Sequence, residues 1–243
     1  MSELPAGILI DLDDTILDDG GCVDSCWEDA CAEVATRSPA IDPVVLHETI
    51  RVHAREWWDD ADRHQRGRLD LRAATTEIVS ESMRKLGYDA AEAGVIAHRY
   101  RDLREERAAL FPGALETLEW FRERGVKLGL MTNGAGPAQR AKIDRFAIEH
   151  HFEHVVIEGE AGYGKPDRRV YETLLRELQL DAKDTWAIGD NLVWDVFAPM
   201  EFGMYGIWVD AAGHGLPAGE TRKPDRVVKS IRELVQEDGG FNG

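Results

Sequence analysis

The sequence predicts an α/β protein in which a Rossmann-like, mostly parallel sheet carries an inserted bundle of helices. Two observations predict this fold class. Short apolar segments alternate with helical segments over residues 111–243, which is typical of βαβ units. Between residues 19 and 110, in contrast, the pattern is helical only. We therefore expect a discontinuous α/β core formed by residues 1–18 and 111–243, and a separate helical domain formed by residues 19–110.

The core is predicted from one strand before the insert and five strands after it. The first apolar run covers residues 8–10 and ends in a cluster of acidic residues. The later strands are predicted over residues 127–132, 154–158, 185–189, 205–209 and 226–228. Helices are predicted over residues 114–124, 137–147, 169–178, 193–202 and 230–237. Pro199 is expected to shorten or kink the fourth of these helices, because proline lacks the backbone N–H that a helix interior uses.

The insert is predicted to contain about four helices, the size of a small bundle. Asp42 and Pro43 form an N-cap and first-turn pair at the start of one helix, and Gly87 is the expected C′ residue of another. The other two predicted helices cover residues 22–34 and 90–110. We interpret Trp57 and Trp58 as packing groups rather than as a binding surface, because aromatic residues at helical spacing usually lie in a core.

The composition indicates an ordered globular protein. The chain has 243 residues, of which 43% are apolar, which is enough for a core and a smaller domain. No apolar run approaches the ~18–20 residues that span a membrane, and the N-terminus lacks the basic start and apolar run of a signal peptide. The odd number of cysteines fits a reducing compartment. These features predict a cytoplasmic protein.

The charge of the chain argues against two classes of partner. Asp and Glu number 46 against 29 for Lys and Arg, so the net charge is −17. A surface of this charge repels nucleic acids and anionic membranes, and we expect neither as a partner. The acid-rich composition is also compatible with a high-salt cytoplasm.

Polar side chains follow the predicted strands at their carboxyl ends. In an open parallel sheet, this edge is where ligands bind. The residues delivered there are Asp11, Asp13, Thr132, Asn133, Lys165, Asp190 and Asp195. They come from segments that are far apart in the sequence, so the fold is expected to bring four carboxylates, one hydroxyl and one ammonium group together.

This set of groups points to a divalent cation and a phosphate. Carboxylates packed within a few ångströms repel one another unless a cation compensates, and hard oxygen ligands suit Mg²⁺. A carboxylate beside a metal ion and a lysine stays ionised and can attack phosphorus. Thr132 and the neighbouring backbone N–H groups can hold phosphate oxygens. We therefore predict a magnesium site at this edge of the sheet.

Four segments, in order, resemble the motifs of the haloacid dehalogenase-like (HAD) hydrolases. They are Asp-Leu-Asp-Asp-Thr at residues 11–15, Thr132 at the end of the second strand, Gly-Lys-Pro-Asp at residues 164–167 and Gly-Asp-Asn-Leu-Val-Trp-Asp at residues 189–195. The resemblance covers the whole core, and the insert is similar to the α-helical cap of that superfamily. It implies a catalytic core and a Mg²⁺-dependent phosphatase that acts on a small phosphorylated metabolite through a phosphoaspartate.

The resemblance also implies a role for each motif residue in the reaction. Asp11 would be the nucleophile, and Asp13 would protonate the leaving alkoxide and then activate the hydrolytic water. Thr132, Asn133 and Lys165 would bind the phosphate. Lys165 would also neutralise charge on Asp11, which makes Asp11, Asp13 and Lys165 the predicted catalytic residues.

The same resemblance implies which residues hold the metal ion. Asp190 would ligate Mg²⁺ together with Asp11 and the backbone carbonyl of Asp13. Asp195 would support this set of ligands. From the residues alone, Asp195 has a second interpretation, since a carboxylate in the first turn of a helix is also favoured by the helix dipole.

Several functions other than a phosphatase stay open. A phosphomutase would keep all four motifs. A haloacid dehalogenase uses a nucleophilic aspartate on the same fold. The resemblance implies, however, that the first motif of such enzymes lacks the second carboxylate, whereas Asp13 is present here. A non-catalytic descendant would bind phosphate without turnover, and a signalling receiver is shorter and carries no helical lid. The sequence identifies neither the substrate nor whether the chain is a monomer or a homodimer.

Overall fold

The computed structural model describes residues 4–236, which form two compact units. One is an α/β unit made of the segment that ends at Asp18 and the segment that begins at Ala109. The other is a helical unit, Asp19–Ala108. No helix within the described residues is long and apolar enough to cross a membrane.

The α/β unit is built on parallel strands. In chain order its strands are β1 (Gly7–Ile10), β2 (Leu17–Asp18), β3 (Ala109–Leu110), β4 (Lys127–Thr132), β5 (His154–Ile157), β6 (Thr185–Gly189), β7 (Tyr205–Val209) and β8 (Arg226–Val228). Within residues 4–236, six of them form one parallel sheet in the order β5-β4-β1-β6-β7-β8, which confirms the predicted fold class. The short strands β2 and β3, which the sequence did not predict, form a separate antiparallel pair.

Strand β1 lies in the middle of the sheet and is buried along its whole length. Ile10 is in register with Leu130 of β4 on one side and with Ile188 of β6 on the other. Ile8 and Ile10 pack in one apolar cluster and Leu9 packs in another, because successive side chains of a strand point to opposite faces. The sheet is therefore covered on both faces, and the carboxyl ends of β4, β1 and β6 are aligned.

The helical unit contains five α-helices within Asp19–Ala108, one more than the sequence predicted. They are α1 (Val23–Ala35), α2 (Pro43–Asp59), α3 (Ala61–Gly67), α4 (Leu71–Lys85) and α5 (Ala93–Arg107). The additional helix arises because Asp60 and Asp70 each accept a hydrogen bond from the backbone N–H three residues later, and so start new helices. The predicted N-cap at Asp42 is confirmed, and so is the C-terminal glycine Gly87, whose φ is +73°.

The helical unit has an apolar core of its own. Trp57 is fully buried in it, as the sequence predicted. A Cβ on Gly67 would lie 2.6 Å from the Trp57 ring, so only glycine fits where α3 packs against this ring. Arg66 lies over the same ring at 5.1 Å from the centroid and also pairs with Glu77.

The helices of the α/β unit cover the parallel sheet. They are α6 (Ala114–Glu123), α7 (Gly136–Arg145), α8 (Glu158–Ala161), α9 (Arg168–Leu178), α10 (Ala198–Met200) and α11 (Glu233–Gln236). Helices α6, α7 and α9 confirm three of the predicted helices, whereas α8 was not predicted. The last predicted helix is reduced to α11, and residue 237 at its end lies outside the described residues.

The sequence predicted a regular helix over residues 193–202, and this prediction is wrong. Leu192–Phe197 is a π-helical turn, and α10 adds only three residues to it. Pro199 shortens the segment as expected, because it has no N–H to donate to the preceding turn. The π-turn places the side chain of Asp195 next to Gly189, at the end of β6.

Candidate active site

The carboxyl ends of three neighbouring strands bring the predicted site residues together. Asp11 follows β1, and its backbone N–H donates to the carbonyl of Ile188 in β6 at 2.9 Å. Thr132 is the last residue of β4, and Asp190 directly follows β6. The three residues lie at one edge of the sheet because their strands are parallel and in register.

Lys165 lies between two carboxylates of this edge. Its side chain is 3% exposed, and its Nζ donates to Asp11 Oδ1 at 2.5 Å and to Asp195 Oδ1 at 2.7 Å. Burial by itself lowers the pKa of a lysine, but the charges of Asp11 and Asp195 outweigh this effect and raise the pKa of Lys165. The side chain is therefore an ammonium ion, held between the two carboxylates at fixed distances.

Three carboxylates form a cluster around this ammonium group. One oxygen from each of Asp11, Asp190 and Asp195 lies within 4.8 Å of the other two. Asp11 and Asp195 are buried, and Asp190 is exposed to solvent. When all three carboxylates are ionised, three negative charges face the single positive charge of Lys165, so the ionised cluster is short of positive charge. Hard oxygen ligands beside solvent fit Mg²⁺, which takes one or two carboxylates and keeps several water molecules.

The proton affinities of the cluster follow from its burial and its charges. Burial raises the pKa of Asp11 well above its ordinary value, Lys165 opposes this rise, and Asp195 and Asp190 add to it. The outer end of Asp190 meets solvent, yet the surrounding protein removes part of its water. This loss of hydration, with the charges of Asp195 and Asp14, raises its pKa to about 7. A cation in the cluster would reverse these shifts, because it favours the ionised carboxylates.

Asp13 faces a different set of partners, and its carboxylate does not belong to this cluster. Its Oδ1 accepts a hydrogen bond from Lys142 Nζ at 2.7 Å, and its Oδ2 accepts one from Gln139 Nε2 at 2.8 Å. Gln139 also donates to Thr132 Oγ1 at 2.5 Å. Sequence reasoning missed Gln139 and Lys142, although their three-residue spacing on the helix that follows β4 was a usable signal.

Asn133 holds the loop that carries Lys165. Its Oδ1 accepts a hydrogen bond from the Lys165 backbone N–H at 2.7 Å, and its Nδ2 donates to the Lys165 carbonyl at 2.8 Å. A Cβ on Gly164 would lie 2.7 Å from Asn133 Oδ1 and 2.6 Å from Glu158, so this close approach requires glycine. The structure therefore engages the side chain of Asn133, predicted to bind phosphate, in positioning Lys165.

The π-turn after β6 fixes Asp195 and Asp190. Asp195 Oδ2 accepts a hydrogen bond from the Asn191 backbone N–H at 3.0 Å. A Cβ on Gly189 would lie 2.4 Å from Asp195 Cγ, so β6 has to end in glycine for this carboxylate to reach the site. The Asp190 carbonyl accepts a hydrogen bond from Trp208 Nε1 at 2.7 Å. Sequence reasoning did not find this role of Trp208, because the tryptophan reads as an ordinary residue of a buried strand.

Comparison with known proteins finds one hydrolase family and relatives that are phosphatases. The family described as haloacid dehalogenase-like hydrolase matches residues 5–203. A phosphoserine phosphatase of Thermus thermophilus is 36% identical over 150 residues, which are 59% of this chain and 59% of the relative, so less than two thirds of that relative is covered. A glyceraldehyde 3-phosphate phosphatase of Pyrococcus abyssi is 28% identical over 83% of this chain and 79% of its own length.

Two further similarities extend this comparison. An (S)-2-haloacid dehalogenase of a Pseudomonas species is 27% identical over 69% of this chain and 70% of its own length. Among solved structures, a HAD phosphatase from Thermococcus onnurineus superposes with a TM-score of 0.66 at 19% identity, covering 96% of this chain and 98% of the other. At that identity the structural likeness shows the fold alone, while the family match over residues 5–203 shows the family.

Proposed function

The chain belongs to the haloacid dehalogenase-like hydrolases, and from this we propose that it is a Mg²⁺-dependent phosphatase. It hydrolyses a small phosphomonoester in the cytoplasm through a phosphoaspartate on Asp11. The observation that carries the proposal is the buried ammonium of Lys165, 2.5 Å from Asp11 and 2.7 Å from Asp195, inside a cluster of three carboxylates. A nucleophilic carboxylate and a phosphoryl group, both negative, react only where charge is neutralised in this way.

In the first step, an ionised oxygen of Asp11 attacks phosphorus and forms an O–P bond. The P–O bond to the alcohol breaks, and the leaving alkoxide takes a proton from Asp13. Lys165 favours the ionised form of Asp11, against the effect of burial, and would share the charge of the phosphoryl oxygens. The hydroxyl of Thr132, positioned by Gln139, donates to one of these oxygens.

In the second step, a water molecule attacks the phosphorus of the acyl phosphate. Asp13, which is now ionised, takes a proton from this water, and the bond between phosphorus and Asp11 breaks. The products are inorganic phosphate and the original carboxylate of Asp11, and Asp13 carries a proton again. The hydrogen bonds from Gln139 and Lys142 orient Asp13 through both steps.

Asp11, Asp190 and Asp195, with the backbone carbonyl of Asp13, would hold the magnesium ion. When bound, the ion would neutralise the carboxylates and the developing charge on the phosphoryl oxygens. The fit rests on the chemistry of the donors, since three carboxylate oxygens within 4.8 Å of one another face only one ammonium group. The pKa values of Asp11 and Asp190 are raised, first by burial and then by the neighbouring carboxylates.

The presence of Asp13 favours a phosphatase over a dehalogenase, although a dehalogenase is among the relatives. Halide leaves without a proton, so a dehalogenase has no use for an acid at this position. Here Asp13 is built into the site by two hydrogen-bond donors on α7. A phosphomutase would use the same residues, but it would return the phosphoryl group to a second hydroxyl rather than to water.

The test measures phosphate release from 4-nitrophenyl phosphate and halide release from 2-chloropropionate, each with and without Mg²⁺. We expect Mg²⁺-dependent phosphate release, reduced about 10³-fold or more in Asp11→Asn, which removes the attacking charge. The same change at the exposed Asp62 serves as the control and leaves the rate unchanged. Halide release without Mg²⁺, or activity retained in Asp11→Asn, would contradict the proposal.

A further inference from the structure

The helical unit contains a cavity of about 340 Å³, within the range of ~300–1,000 Å³ that is usual for small-molecule sites. Its lining is mostly apolar and aromatic, and all of it comes from residues of the helical unit. Trp27 and Tyr100 stack face to face, with their ring centroids 3.6 Å apart and their planes inclined by 7°. Together with Trp58 they give the cavity an aromatic lining, which suits an aromatic or apolar group.

The charged residues of the lining are unequal in number. Arg101 and Arg104 line the cavity, and Asp19 is the carboxylate that lines it with them. Arg104 is committed to its neighbours, because it pairs with Asp19 and donates to Tyr100 Oη at 2.7 Å. The cavity therefore carries an excess of one positive charge in a chain whose net charge is −17.

Arg101 supplies this excess charge. It is 8% exposed and lines the cavity. Within residues 4–236 its guanidinium forms neither a hydrogen bond nor a close ion pair. It lies near the Tyr100 ring, 5.9 Å from the centroid, and the charges of Asp19 and Glu105 act on it from further away. Burial, and then the charge of Arg104, lower the pKa of Arg101. The N–H groups of Arg101 therefore remain available as donors, and an anion in the cavity would accept hydrogen bonds from them.

We propose that this cavity binds the carboxylate of a small organic acid with an aromatic or apolar body, and that Arg101 is the group that recognises it. A carboxylate accepts two parallel hydrogen bonds from a guanidinium, whose planar fork fits it. Trp27, Trp58 and Tyr100 pack on the body of the acid. The acid is either the alcohol portion of the phosphomonoester, which rests on the proposed function, or a separate ligand.

The first experiment measures binding and does not depend on the proposed phosphatase activity. The probes are 4-hydroxyphenylacetate and its primary amide, which have the same shape and differ in charge. Calorimetry and quenching of tryptophan fluorescence report occupation of the cavity, since Trp27 and Trp58 form its walls. We expect the full-length protein to bind the acid more tightly than the amide. Arg101→Gln should weaken acid binding by about 10- to 100-fold, the loss typical of hydrogen bonds to a charged group.

Three controls keep this result interpretable. Arg84→Gln removes the same charge from an exposed position of α4, so it should leave acid binding unchanged. Arg101→Lys keeps the charge but loses the planar fork, and should retain acid binding in part. Circular dichroism checks that each variant is folded. Equal binding of acid and amide by the parent protein, or undiminished acid binding by Arg101→Gln, would overturn the proposal.

The second experiment identifies the source of the acid. It compares kcat/KM for 4-(carboxymethyl)phenyl phosphate with kcat/KM for the corresponding amide. A ratio that Arg101→Gln lowers about tenfold or more makes the acid part of the substrate; an unchanged ratio, with acid binding lost, makes it a separate ligand. If the parent protein hydrolyses neither ester, these two esters are not substrates, and the binding experiment alone decides the role of the cavity; the proposed function is decided separately by 4-nitrophenyl phosphate.

Discussion

Asp13 is held at the site by two side chains from a single helix. Lys142 and Gln139, one turn apart on α7, donate to its two carboxylate oxygens at 2.7 and 2.8 Å. Through Gln139 the same helix also positions the hydroxyl of Thr132. The carboxylate of Asp13 and the hydroxyl of Thr132 are therefore fixed relative to each other, which the proposed proton transfer to a phosphate ester requires.

The role of Asp13 as a general acid predicts a difference between two kinds of ester. Asp13→Asn should slow hydrolysis of an alkyl phosphate by about 10²–10⁴-fold, because an alkoxide leaves poorly without a proton. Formation of the phosphoenzyme from 4-nitrophenyl phosphate should change much less, because nitrophenolate leaves readily by itself. The measurement is a pre-steady-state burst of nitrophenolate, with turnover of glycerol 3-phosphate in parallel.

The same variant also tests the second step of the reaction. Without Asp13 no group activates the hydrolytic water, so the phosphoenzyme formed from the nitrophenyl ester should accumulate and the burst should be followed by slow turnover. Asp62→Asn on the exposed surface is the matched control. Equal losses on both esters with no burst would leave Asp13 a purely supporting residue.

At the scale of elements, the sequence predicted the strands that carry the site. Buried parallel strands are continuous apolar runs, and the polar residues that end them therefore stand out. This is why Asp11, Thr132 and Asp190 could be expected to meet before their register was known. Strands β2 and β3 escaped prediction because a run of two residues carries no periodicity.

The parts of the site that the sequence did not predict share one physical reason: they depend on tertiary packing. The contact of Gln139 with Asp13 depends on how α7 packs, and the contact of Trp208 with Asp190 depends on which face of β7 its side chain occupies. A local sequence pattern predicts neither of these contacts. The π-turn at Leu192–Phe197 depends on a close approach to Gly189. The Asn133 side chain turned to the backbone of Lys165 rather than outward, a choice that only the folded loop determines.

Gly189 gives a prediction at this scale. A Cβ there would lie 2.4 Å from Asp195 Cγ, whereas a Cβ on Gly94 in α5 would meet nothing within 4 Å. Gly189→Ala should lower the free energy of unfolding by about 1–3 kcal/mol, typical of overpacking, and should weaken Mg²⁺ binding because Asp195 is displaced. Gly94→Ala should raise the free energy of unfolding by roughly 0.5–1 kcal/mol, since alanine is the better helix former.

Urea unfolding and Mg²⁺ titration of both variants check this prediction. The pair is matched, because the same substitution is made in both and only the space around the new methyl group differs. If Gly189→Ala unfolded like the parent and bound Mg²⁺ as tightly, Asp195 would have a route to the site that does not require the glycine, and the account of the π-turn would be wrong.

At the scale of the whole molecule, the acidic cluster couples stability to pH and to Mg²⁺. The folded-state pKa values of Asp11 and Asp190 are raised, that of Asp190 from 3.8 to about 7. Without metal, these groups therefore favour folding at low pH, and that contribution is lost as the pH rises from 3.8 through about 7. The proposed Mg²⁺ ion would bind the ionised carboxylates, so adding Mg²⁺ should restore the stability that is lost.

The increase in Tm caused by Mg²⁺ should accordingly be larger at about pH 8 than at about pH 5. At ~100 times its Kd, Mg²⁺ stabilises the folded state by about 2.7 kcal/mol. Differential scanning calorimetry with Mg²⁺ or with EDTA measures the effect, and Asp190→Asn should abolish most of it. A Mg²⁺-induced increase in Tm that is the same at both pH values, and the same in the parent protein and in Asp190→Asn, would contradict the metal site.

Whole-molecule features were predictable to different degrees. The net charge and the insertion of helices follow directly from composition and pattern. The cavity of the helical unit does not, because Arg101 and Trp58 belong to ordinary helical segments of the sequence. These two residues line the same cavity only because α1, α2, α4 and α5 pack together.

The most direct test of the central claim is to trap the phosphoryl group on the protein. The protein and Asp13→Asn are mixed with 4-nitrophenyl phosphate and Mg²⁺, quenched in acid during the burst, digested and analysed by mass spectrometry. We predict that the peptide containing Asp11 gains the mass of one phosphoryl group, that this species accumulates in Asp13→Asn, and that it is absent in Asp11→Asn. Continued release of phosphate with no phosphorylated peptide, or with the phosphoryl group on another residue, would contradict the account.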